Sequence, residues 1–197
     1  MAEKKRDPNR DIAENWINKV RPKQMQLDQE RTKKTADGKE VPYKVDQVHF
    51  RGKDGATYFA DISKRDVVYN KKPQKEGEPE EIRDFNVYVS PSREEMRVRR
   101  MPTKEEQAEG GAYTQDAANA LREAYGENVH FSESGKSAYF AMPREDFMSQ
   151  LRADVQARID YGKKMGEAEK AAKQIEGVEA AVAVEEKAAG DDTPEMV

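Results

Sequence analysis

The tetrad Gly52-Lys53-Asp54-Gly55, set between two stretches of β-forming residues, constrains this chain more than any other feature. Glycines supply the positive φ that a tight hairpin turn needs. Val41 to Ile62 (VPYKVDQVHFRGKDGATYFADI) therefore predicts two antiparallel strands joined at that turn. Side chains alternate along a strand, so Val48 and Phe50 take one face while His49 and Arg51 take the other.

Other segments extend this β character. Asp66 to Tyr69 is a short apolar piece, Asn70 to Pro79 is a loop, and Arg83 to Val89 alternates strictly with Phe85, Val87 and Val89 inward. Between Ser92 and Met101 two signals compete. Ser92-Arg93-Glu94-Glu95 fits a capping box, whereas Met96, Val98 and Arg100 alternate with Arg97, Arg99 and Met101 as a strand would. The strand is favoured, because Pro102 closes it and Ser90-Pro91-Ser92 makes a turn before it. Val129 to Phe131 and Ala138 to Met142 predict a second hairpin around Ser134-Gly135-Lys136.

Helical periodicity recurs in three places. Thr114 is placed to cap a helix carrying Ala117, Leu121, Ala124 and Tyr125, which Gly126 ends. Pro143 opens another, with Phe147, Leu151, Val155 and Ile159 on one stripe. Near the start, Ile12, Ala13, Trp16, Ile17 and Val20 also recur at helical spacing, which predicts a short amphipathic helix interrupted by Pro22. Lys23 to Lys34 then reads as a frayed helix or a linker, and beyond Gly162 the Ala, Glu and Lys composition suggests a weak seam of Ala171, Ile175, Val178 and Val182 with partial disorder.

The expectation is an α+β chain: an antiparallel sheet of about four to six strands with two helices packed on one face, a separate N-terminal helix, and a flexible or helical acidic C-terminal tail. Its parts are a charged helical extension over 1–40, a core over 41–161 and an Ala/Glu-rich tail over 162–197. Composition agrees with a modest core between solvated ends. Charged residues make up 38% against 36% for the apolar set, and the mean hydropathy is -1.08. The first 34 residues hold 10 basic and 6 acidic side chains, while the last 33 hold 3 and 9. The front is mildly basic and the end acidic. No apolar run approaches the roughly 20 residues that span a bilayer, and the charged N-terminus lacks an export signal, so a cytoplasmic protein with no membrane partner is expected.

Composition also removes several chemistries. With no cysteine there are no disulfides, thiolate metal sites or cysteine nucleophiles. The two histidines, His49 and His130, fall in separate hairpins and no HExxH helix occurs. Gly135-Lys136-Ser137 resembles the end of a phosphate-binding loop, but His130 stands where that loop needs a glycine and a strand follows instead of a helix. The acidic pairs Glu94-Glu95, Glu105-Glu106 and Glu145-Asp146 lie in loops or at helix starts, where carboxylates meet the helix dipole. A non-enzymatic binding module without cofactor or metal is therefore expected.

The strongest functional signal is distributed. Arg93, Arg97, Arg99 and Arg100 lie close in sequence to a hairpin offering His49, Arg51, Lys53 and Tyr58, with Lys64, Arg65, Lys71 and Lys72 following. On one sheet face they would pair guanidinium groups with rings, the combination that single-stranded nucleic acid surfaces use. A protein partner is the alternative, reached through Trp16, Ile17 and Val20 on the N-terminal helix, or self-association through the terminal helices.

Overall fold

The computed structural model describes residues 8–73, 77 and 79–189, with the side chains of 171–189 left out. The chain divides into two units, Met1–Val155 and Gln156–Val197. The first holds nine strands in two antiparallel sheets. Strands β1 (Trp16–Val20), β5 (Val67–Lys71) and β6 (Ile82–Tyr88) make a three-stranded sheet in the order β1-β6-β5. Strands β2 (Met25–Lys34), β3 (Glu40–Arg51), β4 (Thr57–Ile62), β7 (Glu95–Met101), β8 (His130–Phe131) and β9 (Ala138–Pro143) make a six-stranded sheet in the order β2-β3-β4-β7-β9-β8. Two helices complete the fold, α1 (Gln115–Tyr125) and α2 (Arg144–Ala189).

The central hairpin forms as its turn dictates. Gly55 sits at φ 78° and Gly52 donates to the Ala56 carbonyl at 2.9 Å, which places Phe50 opposite Tyr58. A side chain at Gly52 would meet the Tyr58 ring at 2.4 Å, so this glycine is required by close approach. Within Ser92 to Met101 the strand signal prevails, as β7 from Glu95, and Thr114 caps α1 by accepting the Ala117 amide at 3.3 Å. Helix α1 and the Arg144–Val155 part of α2 lie on one face of the large sheet. Phe147 of α2 meets Phe50 edge-on at 5.5 Å, and Tyr125 of α1 stacks on Phe140 at 4.2 Å. Val48, Phe50, Tyr58, Ala60, Val98, Phe140 and Met142 line that inner face and are buried with Phe147, Met148 and Leu151.

The N-terminal segment departs from expectation. Only Ala13–Asn15 makes a helical turn, of 3₁₀ type, and Trp16–Val20 is a strand paired with β6. The physical reason is a bulge: Ile17 pairs with Val87 and Val20 with Phe85, so three steps on β1 match two on β6, with Lys19 in the left-handed region at φ 62°. The extra residue brings Ile17 and Val20 to the same buried side, and a spacing of three then imitates a helix. Lys23 to Lys34 is likewise not a helix or linker. It forms a short 3₁₀ turn and strand β2, which carries a second bulge at Asp28, φ 56°. Trp16–Val20 and Met25–Lys34 thus feed one strand into each sheet.

In the second unit, α2 continues to Ala189. The seam Ala171, Ile175, Val178 and Val182 and the tail Asp191 to Val197 lie outside the described side chains or residues. No helix among the described residues is long and apolar enough to cross a membrane.

Candidate nucleic-acid interface

With α1 and the Arg144–Val155 part of α2 on the inner face, the opposite face of the six-stranded sheet carries the alternate residues. The register aligns them in one transverse row. His49 pairs with Phe59, Phe59 with Arg99, Arg99 with Tyr139, and Tyr139 with His130. The row crosses five strands, about 19 Å at the usual strand spacing. Arg51 and Arg97 lie two residues from it on β3 and β7, on the same face.

The row is a set of contacts as well as a register. The Arg99 guanidinium lies over the Phe59 ring, 4.4 Å from its centroid, and the His49 ring stands 5.7 Å from the same phenyl. Arg99 is half-buried, and its Nε is a buried donor with no hydrogen-bond partner in the structure. Tyr139 is 43% exposed. Arg97 is exposed and takes part in no ion pair among the described residues. Carboxylates are few here. Asp61 is held by Arg31 through two hydrogen bonds of 2.7 and 2.9 Å and by Gln47 at 2.8 Å, and Glu95 stands at the rim. The hydrogen bond to Asp61 raises the Arg31 guanidinium above its ordinary value.

The expected site divides at this point. His49, Arg51, Arg97 and Arg99 do share the outer face. Arg100 and Tyr58 point the other way and are 1% exposed. Alternation makes this unavoidable, because Arg99 and Arg100 are adjacent on one strand. Buried, Arg100 places all its donors: Nε and Nη2 on Asp54 at 2.9 and 2.7 Å, Nη1 and Nη2 on Glu106 at 2.8 Å each, and Nη1 on the Tyr113 hydroxyl at 2.9 Å. Tyr58 donates its hydroxyl to Asp54 at 2.8 Å. Arg93 leaves the row as well. It lies before β7, within 3.7 Å of Asp66 and 3.9 Å of the Met96 sulfur. Lys53 is in the turn, where its amide donates to Gln150. Lys64, Lys71 and Lys72 pair with Asp28, Glu80 and Glu81.

The Trp16 surface is corrected too. Ile17 and Val20 are 1% and 0% exposed, as core residues. Trp16 packs on Tyr88 at 5.2 Å, its indole donates to the Arg10 carbonyl, and the Arg10 guanidinium stands over its ring. What the sequence reading missed is Phe59, Tyr139 and Arg31. Phe59 was accessible: a turn that sets Phe50 opposite Tyr58 necessarily sets His49 opposite Phe59.

The Arg100 network predicts an acid limb. Burial tends to raise Asp54 and Glu106, but the Arg100 hydrogen bonds and charge outweigh it and hold both below their ordinary values of 3.8 and 4.5. Depressed carboxylates add stability that is present above the ordinary values and lost as pH falls through the folded ones. The thermal midpoint should therefore drop steeply below about pH 4, and Glu106→Gln should flatten that limb. Equal acid sensitivity in wild type and variant would remove the pair from the explanation.

Among the described residues, no cluster of three or more His, Asp or Glu side chains could hold a metal ion. Compared with protein-family models, with curated proteins and with solved structures, the chain finds no match.

Proposed function

We propose that this protein is a non-enzymatic binding module that takes single-stranded nucleic acid on the outer face of its six-stranded sheet, opposite α1 and Phe147. The row His49, Phe59, Arg99, Tyr139 and His130 carries the reading. The Tyr139 ring, 43% exposed, offers stacking at about 1–3 kcal/mol per base, while Phe59 carries Arg99. Arg99, lying on Phe59, and Arg51 and Arg97 beside the row supply the cations for phosphates. The acidic charge of the whole chain, -4, is offset locally in part, because Asp61, the carboxylate two residues from the row on β4, is occupied by Arg31 and Gln47. Screening in physiological salt confines the tail's influence to about 8 Å from its charges.

A salt series tests the reading. With Arg51, Arg97 and Arg99 as the phosphate contacts, the logarithm of affinity should fall against the logarithm of salt with a slope of about -2, so that retention of a labelled single strand weakens about 20-fold between roughly 50 and 200 mM. Duplex of the same sequence should bind less well, since paired bases cannot stack on the rings. No shift at the lower salt, or binding indifferent to salt, would reject the proposal.

A further inference from the structure

The β2–β3 hairpin outruns the sheet that carries it. Strand β4 pairs with β3 only over Asp46 to Arg51, so Glu40 to Val45 is bonded to β2 alone, through Gln29 to Lys34. A two-stranded ribbon therefore projects about 20 Å past the sheet, at roughly 3.3 Å per residue. Its tip is closed by its own bonds: the Thr35 amide donates to the Lys39 carbonyl and the Gly38 amide to the Thr35 carbonyl, both at 2.9 Å, with Gly38 at φ 78°.

The two faces of this ribbon differ in chemistry. Register and alternation put Arg31, Lys33, Val41 and Tyr43 on one side, and Glu30, Thr32, Lys34, Glu40, Pro42 and Lys44 on the other. The second side is balanced, with two basic and two acidic residues. The first side has two cations, no carboxylate and two exposed apolar side chains, Val41 at 38% and Tyr43 at 40%. The Lys33 ammonium lies 5.9 Å from the Tyr43 ring centroid. This is the same face as the transverse row, because Arg31 reaches from the ribbon to Asp61 on β4.

We infer that this projecting ribbon is a second contact arm for the same single strand, with Tyr43 stacking a base beyond the sheet and Lys33 meeting a phosphate. The inference rests on the nucleic-acid reading above and deepens it by fixing the path of the ligand. A polyanion is favoured over a protein strand or a second copy by charge: the exposed Tyr43 ring lies beside the Lys33 ammonium with no carboxylate on this side of the ribbon, a pattern matching phosphate and base together. The cations Lys33 and Lys34 on the free edge of β2 also discourage strand-to-strand pairing with another chain.

The test uses the full chain and oligothymidylates of roughly 6 and 16 nucleotides, lengths within and beyond one small binding surface. Wild type should hold the longer probe more tightly than the shorter. Lys33→Glu with Tyr43→Ala should weaken the longer probe about tenfold, to near the level of the shorter, and leave the shorter within about twofold. Both side chains are surface groups, and unchanged thermal midpoints confirm the fold of the variant. Equal affinity of variant and wild type for the longer probe overturns the arm while leaving the sheet reading intact. Failure of wild type to bind either probe overturns the sheet reading instead. A wild-type dimer that becomes monomeric in the variant would overturn the arm in favour of self-pairing.

Discussion

Replacing Arg100 with methionine should lower the stability of the protein by about 3 kcal/mol, read from the midpoint of a urea transition. The side chain is 2% exposed and satisfies two carboxylates and two phenols from the hairpin turn, the 103–113 loop and its neighbouring strand. Removing one partner of a buried ion pair usually costs about 3–5 kcal/mol, because the remaining charge is left without compensation. The lower end applies here. The side chains of Asp54 and Glu106 are 40% and 27% exposed and can recover water once the guanidinium is gone. Adding Asp54→Asn and Glu106→Gln to the methionine variant should then restore part of the loss, since the orphaned charges are removed with it. A single variant within about 1 kcal/mol of wild type would show that the network is energetically neutral. The network matters for the interface because it anchors β7, the strand that presents Arg97 and Arg99, to the turn and the loop on the inner side.

Much of this architecture is legible from local sequence, and the exceptions have identifiable causes. The Gly52 to Gly55 turn, the alternation through Arg83 to Val89 and the capping position of Thr114 are short-range signals, and each element forms where they place it. The three-stranded sheet is different. Its β1 strand joins Trp16 to Tyr88, a pairing far apart in the chain that leaves no local mark, and a bulge gives its buried residues helical spacing. Strand β2 hides for another reason. Its outer half belongs to a ribbon wet on both sides, so no apolar alternation is needed and none is written. At the interface, His49, Arg51, Arg97 and Arg99 could be read because charge on an exposed strand position is local information. Grouping Arg100 with them ignored what Val98 and Met96 already said about which side of β7 is buried. The reward for a buried arginine, Asp54 and Glu106 converging from separate segments, exists only once the chain is folded.

Reversing Arg97 and Arg99 to glutamate should weaken single-strand binding about 100-fold at low salt and flatten its salt dependence by about 0.7 per contact removed. The fold should tolerate it. Arg97 is exposed, and Arg99 gives up only its position over Phe59, a contact worth about 0.5–1 kcal/mol at a partly exposed site. Net charge alone could produce some loss, so the comparison that decides is a second double reversal of equal charge placed elsewhere. Lys72→Glu with Arg83→Glu makes the same change of four units, on side chains 55% and 60% exposed that belong to the three-stranded sheet and its flanking loop. These residues are not on the transverse row, and their variant should bind within about threefold of wild type, because fields from exposed charges decay over about 10 Å at 0.1 M salt. If the two variants lose binding equally, the ligand responds to the charge of the whole molecule, and the row His49, Phe59, Arg99, Tyr139 and His130 has no special claim on it. If only the first loses binding, the site is the face of the large sheet opposite α1 and Phe147.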